Sequence, residues 1–327
     1  MRPVGSQWTQ HLTQLSRVLG HQAANLELKW MFQTINRRPK ADGHAADALA
    51  SMVARRVSGE PLQYILGTQP FGSLELLTRP PVLIPRPETE DWTIRLSEYI
   101  KPTRSMPLRL LDLCTGSGCI PLLLCKLWPP GTVRSWGVDI SAEAIRLAED
   151  NATHCGIPLQ TSKASNEHPS TVSDAHNTFR PLQADMRKRG FVHKLRSSGI
   201  SPPFDVITSN PPYIPKHEYE NLPMSVRGYE DVRALLGDPH IPLGPATNPP
   251  QPRSESGRGL TFYHDIAMLV AEEHDSLLAD DGVIAVEVGK GQARDVETIF
   301  REEGNLKRTT IWSDPWEVER VVVASRK

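Results

Sequence analysis

From Leu108 onward, short apolar runs alternate with longer amphipathic segments. The first run breaks at a pair of glycines: LRLLDLCTGSGCIPLLLCKLW, residues 108–128. This rhythm constrains the chain more than any other feature. Parallel neighbours need a crossover of a dozen or more residues, usually a helix, and the helices then cover both sheet faces. Residues 108–114, 133–140, 180–186, 204–210, 282–289 and 319–327 read as strands. Residues 119–128, 141–156, 261–278 and 291–304 read as helices. Ser141 is the expected N-cap of the second of these, with Glu143 and Ala144 in its first turn and Gly156 past its end. The fold class is α/β with a parallel sheet covered on both faces, and ligands of such sheets sit beyond the carboxyl ends of the strands.

Residues 1–68 differ. Apolar positions recur at three- and four-residue steps, as in Leu26, Trp30, Met31 and Ala48, Met52, Val53, with a break at Pro39 to Gly43. This is a small helical domain. Residues 69–107 form a linker. The stretch FGSLELLTRPPVLIPRPETE (71–90) reads as short extended segments or a hairpin, followed by a helix from about Glu88 to Ile100. Residues 108–327 form the main α/β domain. Two stretches break the rhythm there: the polar 160–179 and the proline-rich 239–258, both read as disordered surface insertions.

Bulk numbers exclude several classes. Lys+Arg is 37 against Asp+Glu 38, a net charge of −1, where binders of long nucleic acid usually carry a basic excess. No apolar run reaches the roughly 18 residues of a membrane helix. Cys114, Cys119, Cys125 and Cys155 show no C-x2-C spacing. No zinc or other metal site and no disulfide framework is expected, and a reducing compartment fits. The first acid is Glu27, after Arg2, His11, Arg17 and His21. That stretch is similar to a mitochondrial transit segment. It reads equally as an ordinary first helix through Leu12, Leu15, Val18 and Leu19.

Gly116 and Gly118 allow the backbone to approach a ligand closely. Asp139 ends the second strand 23 residues after Gly116, where a carboxylate can accept both hydroxyls of a ribose. A dinucleotide enzyme shares this layout, but its G-x-G-x-x-G/A pattern fails at Pro121. Asp185 follows the third strand and can accept from an adenine amino group, or serve as a solvated loop acid. Asn210, Pro211, Pro212 and Tyr213 follow the fourth strand. The two prolines carry no N–H, so acceptors dominate here: the Asn210 side-chain oxygen and the Pro211 carbonyl. Such a pair suits an NH₂ group, with Tyr213 offering a flat face to a planar one. A carboxamide or exocyclic amine is a poor nucleophile, and two acceptors can aim it at a sulfonium methyl.

The chain resembles the HemK/PrmC-type glutamine N5-methyltransferases, which modify the Gly-Gly-Gln glutamine of peptide chain release factors. The resemblance is carried by GEPLQYILGTQPFGSLELL, LIPRPETE, LLDLCTGSGCI, SNPPYIP, VRGYEDVRAL and GRGLTFYHDI. It implies a class I (Rossmann-like) methyltransferase domain with a mostly parallel seven-stranded sheet, behind a helical domain that recognises the release factor. It implies S-adenosyl-L-methionine as cofactor. Cys114, Thr115, Gly116, Ser117 and Gly118 would line the methionine and ribose side, and Asp139 would bind the ribose. Asp185 and Met186 would flank the adenine. Arg86, Glu88 and Thr89 would lie near the methionine end, beside Asn210. Asn210, Pro211, Pro212 and Tyr213 would form the catalytic motif. Three positions depart from the family. Cys114 stands where many members have glycine, Asp231 where they usually have proline, and Met186 where an aromatic is frequent.

Adenine-N6 nucleic acid methyltransferases share the Asn/Asp-Pro-Pro-Tyr/Phe motif, but they would need a basic surface. A non-catalytic scaffold of the same fold would have no use for Gly116, Gly118, Asp139 and Asn210 together. Members with the helical domain act on bacterial-type release factors, including those of mitochondria. The low-complexity insertions point to a eukaryotic, fungal origin. A mitochondrial matrix protein is therefore expected, with a bacterial cytoplasm as the alternative. The expected partner is a release factor, with no stable nucleic acid or membrane binding and a monomeric state.

Overall fold

The computed structural model describes residues 5–37, 45–160, 175–238, 257–271 and 276–327. Four helices open the chain: α1 (Gly5–Leu19), α2 (His21–Arg37), α3 (Ala45–Val57) and α4 (Leu62–Leu66). They share a core that includes Leu15, Leu28, Met31, Met52, Val53 and Ile65. Each such side chain stabilises the unit by about 1.5–3 kcal/mol when fully buried. Within the acid-free stretch at the start, residues 5–19 form the packed helix α1, with Leu15 in this core and Val18 exposed. Of the expected stripe on α2, Met31 is buried and the rest is out of phase. Its buried face is Ala24, Leu28 and Met31, whereas Leu26 and Trp30 are exposed. Both sets recur at four-residue steps, so periodicity alone does not choose between them; packing against α1 and α3 does. The same holds on α3, where Leu49 rather than Ala48 is buried. The expected break at Pro39 to Gly43 lies outside the described residues.

α4 ends at Gly67 and leads into a hairpin of β1 (Thr68–Phe71) and β2 (Leu74–Leu77), paired antiparallel. The Tyr64 hydroxyl donates to the Val82 carbonyl at 2.7 Å, and the Thr78 N–H to the Gly67 carbonyl at 3.0 Å. These bonds tie the helical unit to the linker. α5 (Pro87–Tyr99) starts on a proline, whose missing N–H costs nothing in a first turn.

The main sheet contains β3 (Leu108–Leu113), β4 (Val133–Asp139), β5 (Thr178–Gln183), β6 (Phe204–Ser209), β7 (Leu278–Glu287), β8 (Arg308–Ser313) and β9 (Glu319–Ser325). Its order is β5-β4-β3-β6-β7-β9-β8. The first five in that order are parallel; β9 is antiparallel to both β7 and β8. The helices are α6 (Cys119–Leu127), α7 (Ala142–His154), α8 (Phe191–Ser197), the short α9 (Lys216–Tyr219), α10 (Met224–Arg227) and α11 (Val232–Leu235), then α12 (Thr261–Ala271) and α13 (Ala293–Glu302). Among the described residues, no helix is long and apolar enough to cross a membrane.

Strand alternation assigns side chains to two cores. Leu111 and Ile207 face one, with Phe204, Tyr263 and Ile284. Leu110 and Val206 face the other, with Ile120, Leu124 and Phe179. Ser141 caps α7 as expected, accepting from the Ala144 N–H. The helix expected over 261–278 ends at Ala271 among the described residues, and Leu278 already belongs to β7. Most of the stretch 160–179, and 239–256 of the proline-rich one, lie outside the described residues. The end of the first does not behave as an insertion. Asn177 is buried: its Oδ1 accepts from the Thr132 and Val133 N–H groups, and its Nδ2 donates to the Cys125 and Trp128 carbonyls. Thr178 and Phe179 then open β5.

Candidate active site

β3 to β7 run parallel, so their carboxyl ends lie along one rim. That rim brings together residues far apart in sequence: the glycine turn after β3, Asp139 ending β4, Asp185 after β5, Asn210 after β6 and Glu287 ending β7. The chain leaves β3 toward β4 and β5, then returns to place β6 on the other side of β3. Such a reversal opens a crevice where ligands of α/β sheets bind.

The turn is built from left-handed positions. Cys114 has φ 58°, Gly116 φ 55° and Gly118 φ 78°. A left-handed conformation costs a non-glycine residue about 1–2 kcal/mol, which accounts for glycine being frequent where Cys114 stands. The Gly116 N–H donates to Asp139 Oδ2, and the Ser141 N–H to Asp139 Oδ1, both at 2.9 Å. Burial raises the Asp139 pKa above the usual carboxylate range, and these two N–H groups oppose that rise. Each oxygen keeps a lone pair for a further donor.

A cavity of about 680 Å³ lies over this rim. Cys114, Gly116, Asp139, Asp185, Met186 and Asn210 all line it, as does Pro212. The Cys114 and Met186 sulfurs are 3.9 Å apart on one wall. The opposite side carries Pro81, Val82 and Leu83 from the linker and Asp231 and Arg233 around α11. Asp231 does what a proline could not: its N–H donates to the Pro81 carbonyl, and its carboxylate holds both the Arg233 backbone and its guanidinium.

Other expected site residues stand behind this cavity rather than in it. Thr115 is buried, and a Cβ on Gly137 would lie 2.6 Å from its hydroxyl. Ser117 is buried, its carbonyl accepting from Asn151 Nδ2. Gly118 caps α6. Arg86 donates to both oxygens of Glu230 at 2.8 and 2.6 Å. The Glu230 side chain is 1% exposed; its pKa is raised by burial and drawn back by Arg86. Glu88 is half-buried in the first turn of α5. Thr89 is buried and accepts from Asn210 Nδ2 at 3.2 Å.

Tyr213 turns away from the main cavity and lines a neighbouring one of about 250 Å³ with Arg258, Lys290 and Gln292. Its backbone is tightly held. Gln292 Nε2 donates to the Tyr213 and Arg258 carbonyls, and Gln292 Oε1 accepts from the Gly289 N–H. A Cβ on Gly259 would sit 2.1 Å from the Tyr213 carbonyl oxygen, so that segment requires glycine. The Tyr213 hydroxyl donates to Glu287 Oε1 at 3.3 Å, and burial raises its pKa well above the ordinary phenol value.

Glu287 and Gln292 were not anticipated from the sequence. Glu287 did leave a signal: it is the lone charge in GVIAVEVG, a run otherwise suited to a strand buried on both faces. An acid at such a position needs hydrogen-bond partners.

Comparison with known proteins fits this geometry. Residues 10–67 match the family described as PrmC N-terminal domain. The chain is 31% identical over 272 residues to the release factor glutamine methyltransferase of Thermodesulfovibrio yellowstonii, covering 83% of this chain and 79% of that one. With the enzyme of the same name from Geobacter sulfurreducens it is 32% identical over 313 residues, covering 93% and 90%. A Schizosaccharomyces pombe relative, named "Probable MRF1 mitochondrial N(5)-glutamine methyltransferase mtq1", is 32% identical over 279 residues, covering 83% and 77%. The chain therefore belongs to the release factor glutamine methyltransferase family.

Proposed function

We propose that this protein transfers a methyl group from S-adenosyl-L-methionine to the side-chain amide nitrogen (N5) of the glutamine in the Gly-Gly-Gln motif of a bacterial- or mitochondrial-type release factor. One observation carries the reading. Asn210 lines the same cavity as Gly116 and Asp139, and its Nδ2 is engaged by Thr89. Its Oδ1 is left as an acceptor at the rim.

The residues present fit the cofactor. A cavity of this volume suits a nucleoside-sized ligand. Asp139 retains acceptor capacity for ribose hydroxyls, and Asp185 and Met186 stand at the adenine side. When bound, S-adenosylmethionine supplies an electrophilic methyl group. The protein's part is alignment. Asn210 Oδ1 and the Pro211 carbonyl accept the two N–H bonds of the substrate carboxamide, which sets the direction of the nitrogen lone pair. As positive charge grows on that nitrogen, the same two oxygens stabilise it. Tyr213, turned to the neighbouring cavity, holds the motif through Glu287 instead of offering its face to the substrate. Arg86 and Thr89 support the site through Glu230 and Asn210.

Release factor incubated with the protein and S-adenosylmethionine should gain one methyl on the Gly-Gly-Gln glutamine by mass spectrometry. An unmodified glutamine would refute the substrate. Asn210→Ala should lower methyl transfer by at least roughly a thousandfold, or 4 kcal/mol, with cofactor affinity by calorimetry within about twofold. Full activity in that variant would remove Asn210 from the mechanism.

The helical unit at residues 1–68 is the proposed release-factor recognition domain, followed by the linker at 69–107. The proposed state is a monomer without stable nucleic acid or membrane binding. The proposed location is the mitochondrial matrix, supported by the similarity to the fungal mitochondrial relative. Targeting of a fluorescent fusion to mitochondria would test it.

A further inference from the structure

We propose that Glu287 is a positioning residue whose single carboxylate fixes both polar side chains of the Asn-Pro-Pro-Tyr motif, Tyr213 directly and Asn210 through the Thr89 hydroxyl. This rests on the methyltransferase reading of the site.

The inference follows from counting protons. Glu287 is 1% exposed and ends β7. The Thr89 hydroxyl donates to its Oε2 at 2.6 Å, and Trp92 Nε1 donates to the same oxygen at 2.9 Å. A hydroxyl has one hydrogen. Once it is committed to Glu287, the Thr89 oxygen can only accept. Asn210 must then present Nδ2 toward Thr89, at the observed 3.2 Å, and Oδ1 on its other side. A flipped amide would set Oδ1 against an oxygen with no hydrogen left to give. Glu287 thus determines which end of the Asn210 amide faces a substrate.

Its other oxygen, Oε1, accepts from the Tyr213 hydroxyl at 3.3 Å. The two motif side chains are held on the two oxygens of one group. The anchor is itself fixed, because Trp92 is 2% exposed and cannot swing away. The network gathers α5, β7 and the segment after β6, so the motif is set only when all three are packed. The chain Glu287–Thr89–Asn210 also ends in a carboxyl group that accepts at both oxygens. Hydrogen bonds in such a chain polarise one another and strengthen the terminal acceptor. Asn210 Oδ1 gains acceptor strength where positive charge develops.

The test compares Thr89→Ser, Thr89→Val and Glu287→Gln in the full-length protein. Serine keeps the hydroxyl, and kcat should stay within about threefold of the unsubstituted protein. Valine cannot accept from Asn210, and kcat should fall at least tenfold while the cofactor Kd and release-factor KM stay within about twofold. Glu287→Gln can keep its amide oxygen on Thr89 and Trp92 and turn its NH₂ to the Tyr213 oxygen, so its kcat should fall less than that of Thr89→Val. Equal kcat losses for Thr89→Ser and Thr89→Val, or no loss in Thr89→Val, would overturn the proposal. A second readout needs no turnover: the Asn210 side-chain amide protons, followed by NMR after selective labelling. They should exchange slowly in the unsubstituted protein and in Thr89→Ser, and rapidly in Thr89→Val. Unchanged exchange in Thr89→Val would also overturn it. If the unsubstituted protein methylates no release factor yet the exchange pattern holds, the substrate assignment fails and the positioning role stands.

Discussion

Asp112 on β3 and Glu287 on β7 are buried acids in the same sheet, separated only by β6. They meet burial differently. Glu287 accepts from a hydroxyl, an indole N–H and a phenol, and both of its oxygens are engaged. Asp112 accepts from the Thr208 hydroxyl at 2.7 Å on Oδ1, while Oδ2 has no partner among the described residues. Thr115 Oγ1, in the turn just after β3, makes no hydrogen bond of normal length among the described residues, though it is near enough to Asp112 to favour its charged form. Burial raises the pKa of both acids, with Thr89 and Trp92 pulling Glu287 back. Asp112 is pushed up to about 7. The acid under the Asn-Pro-Pro-Tyr motif is thus tied into a structural network, whereas the acid under the glycine turn is a weak point of the fold.

Three substitutions sharpen or break this contrast. The largest effect belongs to Glu287→Leu. It strands three donors, each costing about 1–3 kcal/mol when buried without an acceptor, so urea unfolding should show a loss of roughly 3–6 kcal/mol. An unchanged midpoint would mean that the carboxylate holds nothing.

Asp112→Asn should act in the opposite direction and depend on pH. The folded pKa of Asp112 lies above its unfolded value, so the folded state binds the extra proton. Its favourable contribution is complete below about pH 4 and is lost as pH rises through about 7. Asparagine removes this loss and carries no charge. The variant should be more stable by roughly 2–4 kcal/mol at pH 8, and the advantage should largely vanish near pH 4.5. An equal difference at both pH values would show that Asp112 does not titrate in this range.

The smallest effect is expected for Thr115→Val. The hydroxyl makes no hydrogen bond of normal length and loses only its weak pull on Asp112, and valine has the same shape, so stability should change by less than about 1 kcal/mol in either direction. The identical exchange at Thr89 breaks two hydrogen bonds and should cost about 1–3 kcal/mol. Equal outcomes at the two positions would erase the distinction between the two regions.

Much of the site was legible because it is local. LRLLDLCTGSGCI is a strand, turn and helix in one stretch, and Asp139 and Asn210 each close an apolar run. Strand direction then places them on one rim. What escaped is what depends on partners distant in sequence. Glu287 lies 198 residues from Thr89, and no spacing announces that they meet. β8 escaped because RTTIWS is an edge strand with mixed exposure, without the apolar run of a central strand. The buried face of α2 escaped because two stripes share one period. Asn177 escaped because its polar neighbours hid a residue whose amide groups are all spoken for by β4 and the end of α6.

β9 occupies an interior slot of the sheet, between β7 and β8, with Val321 and Val322 fully buried. Residues 319–325 follow β7 and β8 in the chain, so they leave the ribosome after the two strands they join. Until they emerge, two neighbours lack their shared hydrogen-bonding partner and both cores stay open on that side. Nascent chains cut short in this stretch would expose sticky surface to chaperones and proteases.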